Sequence, residues 1–250
     1  MSGSFIVVVG ATSEIARAIE RELARPGVRL LLVGRDAGEL EACAQDLHIR
    51  MEVEVLTRPF EALAFAEHPR WAAEWCELAG GAPDGVLVCH GYLPDSDLAA
   101  RDPVEARRTL DVNLTSVVSI LTPLAEQMAA RGSGWIAVIS SVAGDRGRRG
   151  NPLYGAAKAG LSVYLQGLRS RLAPRGVHVL TVKPGFVDTR MLRSRDRATR
   201  LLAASPERVA RSVRRGLARR RNTIYTPWFW RPIMWLVRSV PEAVFKRMNL

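Results

Sequence analysis

The sequence predicts a single-domain α/β fold built on a doubly wound parallel sheet. Three observations carry that reading. Short apolar runs of strand length alternate with longer helical stretches from residue 5 to about residue 190. That alternation is the pattern of a parallel sheet covered on both faces by crossover helices. A glycine-containing turn follows the first run, as at a helix N-terminus that receives a phosphate. The 250 residues, 48% of them hydrophobic, are enough for one large core.

Taken in order, Phe5 to Val9 is the first strand, followed by Gly10-Ala11-Thr12-Ser13-Glu14-Ile15-Ala16 and an amphipathic helix to about Arg25. The next strand, Arg29 to Val33, ends in Gly34-Arg35-Asp36. A helix from Ala37 to Leu47 leads to a strand from Met51 to Leu56 and then Thr57-Arg58-Pro59-Phe60. Trp71 and Trp75, four apart on a helix from Leu63 to Leu78, read as core packing. The strand Gly85 to Cys89 ends in His90-Gly91, where the histidine could line a cofactor pocket, although a lone strand-end histidine is more often structural and is not taken as catalytic. Asp102-Pro103 is a cap and first turn for a long helix to about Ala130, which holds Asn113. A strand from Trp135 to Ile139 enters a Gly/Arg-rich loop, and Pro152 opens a helix to about Ala173. The strand Val177 to Val182 runs into Lys183-Pro184-Gly185-Phe186-Val187-Asp188-Thr189. Ser205-Pro206-Glu207 opens a further helix that ends in Arg219-Arg220-Arg221. Residues 1–225 read as one unit and 226–250 as a C-terminal amphipathic extension, without internal repeats.

Ser141, Tyr154 and Lys158 carry the chemistry. Tyr154 and Lys158 are four apart on one helix, so they share a face. Ser141 stands thirteen residues before Tyr154, at a strand end. Reduction of a carbonyl needs a proton donor at its oxygen as hydride arrives. A phenol supplies the proton, a neighbouring ammonium lowers the phenol pKa, and a serine hydroxyl holds the carbonyl oxygen.

With the strand and turn context, these residues resemble the short-chain dehydrogenase/reductase family, over roughly residues 5 to 190. The resemblance implies a Rossmann-type sheet and catalytic Asn113, Ser141, Tyr154 and Lys158, with Asn113 holding a water that links the lysine to solvent. It implies a dinucleotide held by Gly10, Thr12, Ser13, Ile15, Arg35, Gly91, Tyr154, Lys158, Pro184, Gly185, Val187 and Thr189. Glu14 departs from the glycine-rich turn, since a carboxylate near the phosphates is repulsive unless it points away. No acid follows the third strand, where the family often meets the adenine amine. Only Gly91 survives of the family's Asn-Ala-Gly. At the end of the second strand Gly34 replaces the acid of an NAD-preferring enzyme. Arg35 beside it suits a 2′-phosphate, so NADP(H) is preferred and Asp36 leaves room for NAD(H). The family's habit implies a homodimer or homotetramer.

The chain carries 36 Lys and Arg against 25 Asp and Glu, a net charge of +11, and Lys occurs only at 158, 183 and 246. Such a balance favours anionic partners. The region from Arg190 to Arg221 has many cations but few aromatics and no known module, so no specific nucleic-acid binding is expected. Cys43, Cys76 and Cys89, and His48, His68, His90 and His178, form no ligand cluster, so no metal is expected. No basic leader or long apolar span is present, which suggests a cytoplasmic protein.

Two stretches depart from the generic pattern. Arg146, Arg148 and Arg149 lie between the serine and the tyrosine, where they flank the substrate mouth or form a solvated basic loop. From Thr226 onward, Trp228, Phe229, Trp230, Trp235 and Phe245 are interleaved with Arg231, Arg238, Lys246 and Arg247, and Pro241 splits two short helices. That composition suits peripheral contact with the inner face of a membrane, or a lid or dimer-forming tail. Within the family, Ser13-Glu14-Ile15, the Gly144 to Arg149 loop and this tail are similar to reductases of polyprenyl-phosphate-linked keto-pentoses, which work with a flavin oxidase partner. The expected substrate is therefore a lipid-linked ketone. The alternatives are another hydrophobic ketone, 3-ketosphinganine-like or 3-oxoacyl, and a non-catalytic NADP-binding scaffold.

Overall fold

The computed structural model describes residues 3–190 and 203–248. Its strands are β1 (Ser4–Val9), β2 (Val28–Gly34), β3 (Glu54–Pro59), β4 (Gly85–Val88), β5 (Gly134–Ile139), β6 (Val177–Pro184) and β7 (Thr223–Thr226). They form one sheet in the order β3-β2-β1-β4-β5-β6-β7, with every pairing parallel. The chain winds outward from β1 to β3, then restarts beside β1 with β4. That reversal opens a crevice at the carboxyl ends of the strands.

Successive strand residues face opposite sides, so each side has its own core. On one, Val7, Val9, Val86 and Val88 pack with α3 (His68–Ala79), α6 (Ser116–Arg131) and α7 (Pro152–Leu172) through Trp75, Leu124 and Leu165. On the other, Ile6, Val8, Leu30 and Leu32 pack against α1 (Glu14–Leu23), α2 (Ala37–Met51) and α8 (Pro206–Ala218) through Ile19, Leu40 and Val213. Trp71 and Trp75 are core residues, as their spacing predicts.

Several elements differ from the sequence-based expectation, each for a local reason. The second helix runs on to Met51, with His48 and Arg50 in its last turn, and closes at Glu52 in the left-handed region (φ 52). The Arg50 guanidinium there complements the helix dipole, and β3 starts at Glu54 rather than Met51. The helix expected from Leu63 begins at His68, because Pro69 fits only its first turn. The long helix expected after Asp102 is split: α5 (Pro103–Leu110) and α6 flank a π turn at Asp111–Thr115. A four-residue α4 (Ser96–Ala99) precedes it. The sequence reading missed β7: its residues Thr223-Ile224-Tyr225-Thr226 mix polar and apolar side chains at the sheet edge, unlike the equally short but fully buried β4, and pairing with β6 identifies it. This strand spans the boundary drawn at 225.

The tail forms α9 (Trp230–Ser239) and α10 (Glu242–Phe245), split at Pro241 as expected. Trp230 and Met234 pack on Val142, with Phe186, Tyr225 and Phe229 around them. Among the described residues no helix is long and apolar enough to cross a membrane.

Candidate active site

A cavity of about 840 Å³ opens at the carboxyl ends of β1, β2, β4, β5 and β6. Every residue assigned above to the dinucleotide lines it: Gly10, Thr12, Ser13, Ile15, Arg35, Gly91, Tyr154, Lys158, Pro184, Gly185, Val187 and Thr189. Gly10 has φ +79, and a Cβ there would lie 2.5 Å from the His90 backbone nitrogen, so only glycine lets the two turns meet. The Ser13 hydroxyl caps α1 by accepting from Ala16 N at 3.1 Å. Glu14 and Ile15, which open α1, also line the cavity, and the first turn of a helix suits a pyrophosphate. The Glu14 carboxylate accepts from Arg190 N at 2.6 Å, so it joins the turn to the chain that follows β6.

Arg35 is exposed at the rim, while Asp36 accepts from Glu39 N at 2.9 Å as the N-cap of α2. The acid that left room for NAD(H) is thus engaged with the backbone. The exposed guanidinium is the charged group that a 2′-phosphate would meet. Opposite, Gly185 lies beneath the indole of Trp230: a Cβ there would stand 1.9 Å from Trp230 Nε1. The tail helix α9 therefore closes against the turn that begins the far wall. Thr189 Oγ1 donates to Val187 O at 3.4 Å.

Ser141 follows β5 in extended backbone, its Oγ accepting from Ala143 N at 3.1 Å. Tyr154 and Lys158 rise from the first turns of α7, started by Pro152. The Lys158 Nζ donates to Ile139 O at 3.2 Å and lies 5.8 Å from the centre of the Tyr154 ring. Burial pulls the Lys158 pKa down to about 8. Burial also pushes the Tyr154 phenol up to about 12, against a smaller lowering by the Ser141 hydrogen bond. This corrects the expectation that the ammonium sets the phenol low: here desolvation is the larger influence on both groups. The phenol stays protonated at neutral pH, which is the state a proton donor needs.

Asn113 is fully buried in the π turn and lies behind the cavity wall. Its Nδ2 donates to Tyr92 O (2.7 Å) and Thr109 O (2.9 Å), and its Oδ1 accepts from Tyr92 N (3.1 Å). It clamps the chain just after β4. A Cβ at Gly91 would lie 3.2 Å from Asn113 Oδ1 and 3.5 Å from Lys158 Nζ, so Gly91 is what lets these groups approach each other.

The three loop arginines separate. Arg148 lines the cavity, half-buried, and among the described residues its one hydrogen bond is a 3.4 Å bond to Val142 O. Arg146 does not line it; its guanidinium bonds Val237 O (2.9 Å) and Glu242 Oε2 (2.9 Å) and stacks on Phe245 at 3.9 Å. Its role is to hold the tail. Arg149 is exposed and also off the cavity wall. Only Arg148 keeps the position expected of a phosphate ligand.

Other wall residues were not anticipated: Glu61, Tyr92, Leu93, Arg108, Asn151 and Phe186. Glu61 stands two residues past β3, one beyond the Thr57 to Phe60 stretch that holds no acid. His90 also lines the cavity, and its Nε2 lies 2.7 Å from Ser116 Oγ. Ser116 donates to Val112 O at 2.8 Å, so His90 Nε2 carries the hydrogen and Nδ1 is a bare acceptor. Burial pulls this histidine down to about 3, so it is a neutral imidazole. The missing Asn-Ala before Gly91 was the signal for it.

This geometry defines an oxidoreductase site on a dinucleotide-binding sheet. The family described as short chain dehydrogenase matches residues 4–200, and the chain belongs to it. An uncharacterised oxidoreductase of Mycobacterium tuberculosis is 36% identical over 97% of this chain and 96% of its own length. One from Streptomyces coelicolor is 34% identical over 97% and 95%. Among solved structures, the actinorhodin polyketide ketoreductase with NADPH superposes with a TM-score of 0.76 at 24% identity, covering 84% of this chain and 88% of its own. The protein gox2181 gives a TM-score of 0.78 at 20% identity, over 86% and 89%. At those identities the structural likeness speaks for the fold.

Proposed function

We propose that the protein reduces a ketone on a bulky, partly apolar substrate, using NADPH. The observation that carries this is the convergence of a protonated Tyr154, Ser141 and Lys158 on a cavity whose rim bears Arg35 and the capped N-terminus of α1. The ketoreductase of similar fold was solved with NADPH, which supports the same dinucleotide here. A bound NADPH supplies the hydride. Ser141 Oγ–H holds the carbonyl oxygen, Tyr154 gives that oxygen its proton as the alcohol forms, and Lys158 supplies positive charge beside the phenol. Asn113 keeps the Tyr92 backbone, and with it the wall opposite α7, in place.

The particular substrate we favour is the 2-keto sugar of a polyprenylphosphoryl keto-pentose, reduced to polyprenylphosphoryl arabinose. The resemblance of the Ser13-Glu14-Ile15 turn, the Gly144 to Arg149 loop and the tail to decaprenylphosphoryl-2-keto-ribose reductase supports it. So does Arg148 on the cavity wall beside the apolar Leu93, Val142 and Phe186. The test is NADPH oxidation by the purified protein with detergent-dispersed polyprenylphosphoryl keto-ribose, beside 3-ketosphinganine. Turnover of the first alone, lost in Arg148→Ala, supports the keto-sugar. Turnover of the second alone keeps the reductase and discards the sugar. No NADPH-dependent turnover of either, with NADPH bound, favours the scaffold.

Two predictions arise directly. Arg35→Ala should raise the KM for NADPH roughly tenfold or more and leave that for NADH almost unchanged, because a charge-assisted hydrogen bond contributes about 1.5–3 kcal/mol. Equal effects on the two cofactors would remove Arg35 from 2′-phosphate recognition. The second concerns pH. Lys158 is charged below about 8 and neutral above it, whereas Tyr154 holds its proton to about 12. The kcat/KM of reduction should therefore be level below about 8 and fall about tenfold per unit above it. A profile with no break near that pH would exclude the ammonium from the rate.

A further inference from the structure

A second basic site lies away from the active cavity. The residues Arg208, Arg211 and Arg215 recur at helical spacing along the exposed side of α8, away from its buried Val209, Ala210 and Val213, and Arg219 at its C-cap continues the row. With Arg221 they line a cleft of about 540 Å³ whose outer wall is Trp228. Like charges three and four apart on a helix repel each other; Arg208 also stands in the first turn at the helix's positive end, whereas Arg215 and Arg219 at the other end are favoured by the dipole. Among the described residues that line the cleft none is acidic. Among the described residues none of these five arginines makes a salt bridge, whereas Arg214, on the flank, pairs with Glu22 at 2.6 Å. Glu207, which feels Arg211, has its carboxylate held by its own backbone N–H and by Ser205. The stripe sets like charges side by side, and an anionic partner would relieve that repulsion.

The chain runs from Trp228 straight into α9. Trp230 and Met234 face inward there, while Trp228 (73%), Trp235 (71%) and Leu236 (62%) are largely exposed. Arg231 and Arg238 are exposed on the same helix. Indole and leucyl groups beside guanidiniums match the headgroup depth of a bilayer, where apolar groups enter and cations meet phosphate. A second copy of this chain fits less well, since it would bring the same arginines and a net charge of +11 against its like.

We propose that the arginine cleft of α8 and the outer face of α9 form one docking surface for an anionic lipid bilayer. The cleft takes lipid phosphates and the tryptophans enter the interface. This surface stands apart from whatever ketone the active site reduces.

Co-sedimentation with vesicles tests it, using phosphatidylcholine alone and phosphatidylcholine mixed with phosphatidylglycerol. The wild-type protein should pellet with the mixed vesicles and stay in solution with the neutral ones. The variant Arg211→Ala/Arg215→Ala/Arg219→Ala should partition about 100-fold less, given roughly 1 kcal/mol per cation near an anionic surface. Trp228→Ser/Trp235→Ser, which keeps the charge, should also fall. A control, Arg50→Ala/Arg70→Ala/Arg107→Ala, removes three exposed arginines elsewhere and should bind like wild type. All these side chains are exposed, and circular dichroism checks folding. Failure of the wild type to pellet, or an equal loss in the control, overturns the proposal. So does a thermal shift with glycerol phosphate but no vesicle binding, which would make the cleft a site for free anions only.

Discussion

Tyr154→Phe abolishes ketone reduction while NADPH still binds: kcat falls by about 10²–10⁴, the range lost with a general acid, and the Kd for NADPH changes little. The substitution removes one oxygen and leaves the ring that packs above Lys158. What is lost is the proton that the substrate oxygen needs when hydride arrives. Ser141 cannot replace it, since a hydroxyl that stabilises an oxyanion by one hydrogen bond is far too weak an acid to give up its proton at that moment. Steady-state rates and a fluorescence titration with NADPH check the two halves separately. Turnover close to wild type would end the assignment of Tyr154. Loss of NADPH binding together with turnover would mean that the hydroxyl builds the cofactor pocket instead.

The sheet and the site were legible in the sequence to different depths. Five strands were plain as apolar runs because the sheet buries both their faces, whereas β3, at the sheet edge, is only half-buried and was expected from Met51 to Leu56. The seventh, Thr223–Thr226, is identified only by its partner β6. Tyr154 and Lys158 could be placed on one face because helical spacing is local. Ser141 could be placed because a strand end is a fixed point. The destinies of the three loop arginines could not be read, because they depend on where a tail ninety residues later comes to rest. Arg146 reaches Val237, Val240 and Glu242, and no pattern within the loop announces that. The polarity of the phenol's shift was equally hidden: two residues four apart give proximity, but desolvation depends on everything packed around them. Glu14 looked hostile to phosphate in the sequence, and its bond to Arg190 N comes from the far end of the sheet.

The largest effect on stability is expected at Asp145, a residue outside the catalytic set. Its carboxylate accepts from Lys183 Nζ and from Tyr225 Oη, the latter at 2.8 Å. The side chains of Asp145 and Lys183 are 2% and 10% exposed, so the pair is almost out of water. Lys183 is in β6 and Tyr225 in β7. Asp145 therefore fastens the loop after Ser141 to the sheet edge, one residue before Arg146 holds the tail. Asp145→Ala leaves the Lys183 ammonium buried and alone, which costs about 3–5 kcal/mol. For a domain of this size that lowers the Tm by roughly 6–20 °C. A second consequence is functional: once released, the loop no longer fixes Ser141 and Arg148, so kcat/KM should fall with the ketone while the KM for NADPH moves less. Asp145→Asn keeps one of the two acceptor oxygens and loses the charge, and should lie between Ala and wild type. The double variant Asp145→Leu/Lys183→Met replaces the ion pair with apolar volume and should recover most of the Tm, because the penalty belongs to the unpaired charge. Calorimetry of the four proteins decides the matter. If Asp145→Ala melts like wild type, the pair is not structural. If the double variant regains Tm but not kcat/KM, the pair fixes the geometry of the loop as well as its stability.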